Sequence, residues 1–191
     1  MRLGERFDQA LLYASRAHAS QVRKGTDTPY LAHLLGVASL ALENGADEDE
    51  AIAALLHDAV EDQGGAARLE DIRKRFGDRV AAIVSDCTDS HADPKPPWRE
   101  RKEAYLAGLE AKPRSSLLVS LADKTHNAQA ILADLYVEGD GLWQKFTGGK
   151  AGSLWYYSAL AQAFSRAFPG PGAARLQRLV NDMHAFEAAR P

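Results

Sequence analysis

Apolar residues recur along this chain at the three- and four-residue spacing of a helix face. Leu31, Leu34, Leu35, Ala38 and Leu42 follow i, i+3, i+4, i+7, and Ile52, Leu55, Leu56, Ala59 and Val60 repeat the pattern. Ile72, Phe76, Val80, Ile83 and Val84 form a third stripe, and Leu176, Leu179, Val180, Met183 and Phe186 a last one. No run alternates with the period of two expected of a half-buried strand. Leu117–Leu121 reads as a buried strand in isolation, but its continuation to Tyr136 without Gly or Pro predicts one long helix.

Helix breakers fall between these stripes. Pro29 suits a first helical turn, where its missing N–H is not needed. Gly45, Gly64-Gly65 and Gly77 close segments, while Pro94 to Pro97, Gly139–Gly141, Gly148-Gly149 and Pro169–Gly172 mark loops. The predicted fold is all-α, roughly eight or more helices joined by short loops. No linker or repeat divides it, so residues 1–191 are expected to form a single domain.

Composition narrows the function without naming it. Hydrophobic residues make up 46% and charged residues 26% of 191 positions, a balance that supports a folded core. A net charge of −3 argues against a general nucleic-acid or acidic-membrane binder, so any polyanion site must be a local cluster. Cys87 is the only cysteine, which excludes an intrachain disulfide and a thiolate metal cage. The N-terminal residues lack a signal-peptide core, and the longest stretches free of charge, Thr28–Leu42 and Ala151–Ser165, are 15 residues each. Both are shorter than the ~20 residues of a membrane span, and the expected compartment is the cytoplasm.

Four polar residues interrupt the apolar helices where packing alone does not ask for them. His33 follows Pro29-Tyr30-Leu31-Ala32; His57-Asp58 follows Ala53-Ala54-Leu55-Leu56 in a second helix; Asp123 follows Leu117–Ala122 in a third. Burying such groups is unfavourable unless something pairs with them. Two imidazoles and two carboxylates can jointly satisfy one divalent cation, and a nitrogen–oxygen set without sulfur suits Mn²⁺, Fe²⁺ or Zn²⁺ better than Ca²⁺. Glu61 and Asp62 lie four residues beyond His57 and Asp58, one turn along, where carboxylates can orient or deprotonate a water.

Arg23-Lys24-Gly25, Pro29 to His33, Ala54 to Asp62 (ALLHDAVED) and Leu121 to Asn127 (LADKTHN) together resemble the HD-type hydrolase half of RelA/SpoT-type enzymes, and in particular the free-standing small alarmone hydrolases. The similarity runs from about Leu11 to about Phe168 with all blocks in order. The resemblance implies one Mn²⁺ held by His33, His57, Asp58 and Asp123, with Glu61 and Asp62 positioning the attacking water. It implies purine contacts from Arg23 and Lys24, a nucleoside contact from Asn127 and a phosphate contact from Lys124. The expected reaction is removal of the 3′-diphosphate from a (p)ppGpp-like nucleotide, without an opposing synthetase in so short a chain.

Thr125 stands where relatives usually carry Leu or a similar apolar residue, which bears on base preference. An HD phosphohydrolase of another nucleotide, such as (p)ppApp or a nucleotide phosphomonoester, would share the metal chemistry. A non-catalytic nucleotide sensor would have lost a ligand or a catalytic carboxylate, and here all six are present. His126, three residues from Asp123, is expected to pack behind the site. His18, His91 and His184 show no partner spacing. The basic stretch Lys95–Lys102 reads as a loop and helix start as readily as a phosphate clamp. Trp143, Lys150, Trp155, Tyr156 and Tyr157 read as core rather than as a base pocket.

Overall fold

The computed structural model describes residues 2–88 and 96–189. Ten α-helical segments lie among them: α1 (Glu5–Ala17), α2 (Leu31–Glu43), α3 (Glu48–Leu56), α4 (Ala59–Asp62), α5 (Gly65–Phe76), α6 (Asp78–Cys87), α7 (Trp98–Leu109), α8 (Arg114–Glu138), α9 (Gly149–Ala167) and α10 (Pro171–Ala188). No strand forms among the described residues, in keeping with the all-α expectation, and an isolated bridge joins Val22 to Pro29. Among the described residues no helix is long and apolar enough to cross a membrane. His91, Pro94 and Lys95 lie outside the described residues.

The chain forms two compact units, Met1–Lys95 with Pro113–Asp123, and Pro96–Lys112 with Lys124–Pro191. In the first, α3 is the central element and packs against α1, α2 and α6. Every residue from Glu50 to Leu56 is buried, as expected of a helix that is apolar on all sides. Its N-terminus is fixed by a capping box: Glu50 N–H donates to Asp47 Oδ1 at 3.0 Å, and Asp47 N–H to Glu50 Oε2 at 2.8 Å. In the second unit α9 packs against α7 and α10. There the Trp98 ring lies so close to Gly148 that a Cβ would come within 2.6 Å of it.

Several local expectations need correction. Leu35 is 45% exposed, and the buried face of α2 is instead His33, Leu34, Val37, Ala38, Leu40 and Ala41. Pro29 is not in the first helical turn; it pairs with Val22, and Tyr30 caps α2. Gly139–Gly141 opens a 3₁₀ segment, Gly139–Lys145, rather than a loop, and α10 already begins at Pro171. The helix carrying His57-Asp58 ends at Leu56 and resumes at Ala59. The single long helix expected from Leu117 to Tyr136 is present as part of α8.

Candidate metal centre

The break between α3 and α4 shapes the site. His57 is the C-cap of α3, and its Nδ1 donates to the Ala54 carbonyl at 2.9 Å. That oxygen is one of the acceptors left over at a helix end, so the ring replaces a backbone donor. Asp58 then adopts φ −96° and ψ −5°, the sparsely populated bridge region where active-site residues often sit. Because a carbonyl only accepts, His57 Nδ1 carries the proton and Nε2 is free to face inward.

Four groups converge there, all within the first unit. His33 comes from the first turn of α2 and Asp123 from α8. His57 Nε2 stands 3.0 Å from Asp58 Oδ2 and 3.5 Å from Asp123 Oδ1. His33 Nε2 stands 3.6 Å and 3.3 Å from the same two oxygens. Both imidazoles are buried, at 1% and 2% exposure, and the ligand atoms of His33, His57 and Asp58 all lie within 4.8 Å of one another. His57 Nε2 has no hydrogen-bond partner in good geometry among the described residues.

These residues fit a divalent cation. Two imidazole nitrogens and two carboxylates converge without a Lys or Arg among them, and an orphaned buried nitrogen points into their midst. The titration directions carry the same message. Burial lowers the His57 imidazole, but the Asp58 charge and the contact with Asp123 outweigh it and raise His57 well above its ordinary value. Burial raises the Asp58 carboxyl, yet the His57 charge and the contacts from both imidazoles hold it far below the usual carboxylate range. A centre that favours positive charge in this way suits a divalent cation.

Glu61 is half-buried in α4 and Asp62 is at its surface edge, one turn past His57 and Asp58. Partial desolvation, reinforced by the Asp58 and Glu61 charges, raises the Asp62 carboxyl above its ordinary value against the Gln21 hydrogen bond. Three neighbours were not legible as site residues. Tyr30 donates from its hydroxyl to Asp58 Oδ2 at 2.5 Å, and burial followed by the Asp58 charge pushes its phenol far up, so it stays a donor. Gln21 Nε2 donates to Asp62 Oδ2 at 2.8 Å. His18, which has no partner spacing in sequence, is buried, contacts Gln21 and stacks on Tyr30 at 5.3 Å.

The expected substrate contacts divide between the two units. Arg23 and Lys24 lie on the loop that the Val22–Pro29 bridge folds back, with Arg23 N–H donating to the Thr28 carbonyl at 2.8 Å; Lys24 is exposed. Lys124 and Asn127 belong to the second unit, where the Lys124 ammonium lies 5.2 Å over the Tyr105 ring and Asn127 is half-buried. Thr125 is buried and His126 half-buried. Arg99 and Arg101 of the basic stretch are engaged within the second unit, Arg99 with Glu103 and the Trp155 face, Arg101 with the Pro96 carbonyl. Trp143 and Tyr156 are core, Lys150 pairs with Glu187, and His184 meets Ser158 at 2.8 Å.

A family model for the HD domain matches residues 10–153. The guanosine-3′,5′-bis(diphosphate) 3′-pyrophosphohydrolase MESH1 of Xenopus tropicalis is 38% identical over 122 residues, which cover 62% of this chain and 65% of that protein. Its Drosophila melanogaster namesake is 35% identical over 141 residues, covering 72% and 74%. The solved structure of a metazoan ortholog of SpoT that hydrolyzes ppGpp matches with a TM-score of 0.79 at 27% identity, covering 96% of this chain and 98% of that one.

Proposed function

The chain belongs to the HD-domain family, and from that premise we propose that it is a Mn²⁺-dependent 3′-pyrophosphohydrolase of (p)ppGpp-like nucleotides, residues 1–191 acting as one functional domain. The observation that carries the proposal is the convergence of His33, His57, Asp58 and Asp123 one turn before Glu61 and Asp62. The similarity to proteins named as ppGpp pyrophosphohydrolases supplies the substrate class.

His33, His57, Asp58 and Asp123 would hold the cation, with the His57 Nδ1–Ala54 bond and the Tyr30–Asp58 bond fixing two of the four donors. The cation, when bound, supplies Lewis-acid stabilisation of phosphoryl charge and makes water more acidic. Glu61 and Asp62 orient the attacking water and take up its proton. The water oxygen bonds to the phosphorus next to the ribose 3′ oxygen, that ester bond breaks, the 3′ oxygen gains a proton and pyrophosphate leaves. Arg23 and Lys24 contact the purine, Asn127 the nucleoside and Lys124 a phosphate.

Pyrophosphate release from ppGpp and ppApp, measured side by side with and without Mn²⁺, tests the proposal. Mn²⁺-dependent release from ppGpp that Asp58→Ala and Glu61→Ala abolish is the expected result. Release from ppApp alone moves the substrate to the adenosine series, and release from neither overturns the alarmone reading.

A further inference from the structure

We infer that Gln21 is a positioning residue for Asp62, and that its side-chain amide fixes the carboxylate one turn beyond the metal ligands. The inference rests on the reading of Asp62 as a water-positioning carboxylate. Gln21 sits 41 residues from Asp62 in sequence, on the loop between α1 and α2. An ionised carboxylate only accepts, so the amide edge at 2.8 Å from Asp62 Oδ2 is the Nε2 edge. Oε1 is then turned away from Asp62, and it receives Gln63 Nε2 at 2.6 Å and faces His18 Nδ1 at 2.7 Å. Since an amide oxygen cannot donate, His18 Nδ1 must carry a proton.

Each partner of Gln21 is itself held. Its own backbone is pinned on both sides, N–H to the His18 carbonyl at 3.0 Å and C=O from Tyr30 N–H at 2.9 Å. Gln63 is anchored by Arg68 Nε donating to its carbonyl at 2.8 Å. His18 is 3% exposed and stacks on Tyr30 with an interplanar angle of 21°. One imidazole thus supports two arms, through Gln21 to Asp62 and through Tyr30 to the ligand Asp58. A free Asp rotamer samples several orientations; a hydrogen bond from an amide anchored on both sides favours one of them. None of the contacts of Gln21 is to His33, His57, Asp58 or Asp123, so its removal should act on turnover and leave the cation site intact.

The test is a double-mutant cycle on the full chain with Gln21→Met, which keeps the side-chain length without donor or acceptor, and Asp62→Ala. The expected result is a fall in kcat of about 10–100-fold for Gln21→Met, with KM and Mn²⁺ affinity near wild type. In the Asp62→Ala background Gln21→Met should add nothing. Independent of turnover, the Gln21 side-chain amide should give a distinct ¹⁵N–¹H pair that Asp62→Ala shifts. Additive effects of the two substitutions, or an amide pair indifferent to Asp62→Ala, overturn the inference. If Asp62→Ala itself keeps wild-type kcat while the wild type releases pyrophosphate, the role of Asp62 has failed and the inference with it, though the enzymatic reading stands.

Discussion

Helix α3 carries a cluster of charge at each end, and the two ends do opposite things. At the N-terminal end every cluster member is answered by the chain itself. Arg79 pairs with Asp47 at 2.7 Å and with Asp49 and Glu50 at 3.4 Å, and Arg6 pairs with Asp49 at 2.9 Å. Arg6 and Arg79 are about half exposed, so water shares the work of balancing the charge. At the C-terminal end the buried His33, His57 and Asp123 meet the partly exposed Asp58 with no Lys or Arg among them. Charge density alone therefore does not mark a site. What marks it is buried donor atoms turned toward each other with positive charge still owed.

The largest effect should come from breaking the buried end. His57→Ala or Asp58→Ala removes a proposed ligand and is expected to lower kcat by about 10³-fold or more, the several kcal/mol a Lewis-acid cation supplies. Pyrophosphate release measured beside Mn²⁺ affinity checks this, since both should fall together. Next, Glu61→Ala and Asp62→Ala should each lower kcat by about 10²–10⁴-fold with cation binding retained. Loss of binding in these variants would mean that they are ligands.

The raised Asp62 carboxyl sharpens the comparison through pH. Its folded value lies above the unfolded one, so the neutral form is favoured by folding and the ionised form is not. Activity should fall on acidification, because the role proposed for Asp62 requires its ionised form. Asp62→Asn should lose activity yet raise Tm at neutral pH. An unchanged or lowered Tm contradicts the assigned direction.

Smaller effects belong to the solvated end. Asp47→Ala removes the cap of α3 and should lower stability by about 1 kcal/mol, without changing kcat. Burial raises Asp47, but the Glu50 N–H bond and Arg79 outweigh it and hold the carboxyl below its ordinary value. That contribution is complete above the unfolded pKa and is lost as the pH falls through the lowered folded one, which an acid unfolding series on wild type and Asp47→Ala can read. Arg79→Ala should cost at most about 1 kcal/mol, less in high salt.

Much of the site is legible in the sequence, for a physical reason. His33, His57, Asp58 and Asp123 each interrupt or follow an apolar run, which singles them out before any contact is known. Gln21, His18 and Tyr30 give no such signal, because their partners are 28 to 42 positions away or depend on the loop that the Val22–Pro29 bridge folds back. The break after Leu56 is equally silent. No Gly or Pro announces it, and the apolar pattern continues through Ala59 and Val60; a side chain that captures the Ala54 carbonyl ends the helix instead. Pro29 is misleading for a related reason, since its suitability for a helix start serves equally well at a bridge.

Calorimetric titration of Mn²⁺ into the full chain, its Arg79→Ala variant and its His57→Ala variant tests the contrast between the two ends of α3 most directly. One binding site in the wild type, retained in Arg79→Ala and lost in His57→Ala, is the predicted result. Binding that His57→Ala leaves intact, or that Arg79→Ala removes, would contradict it.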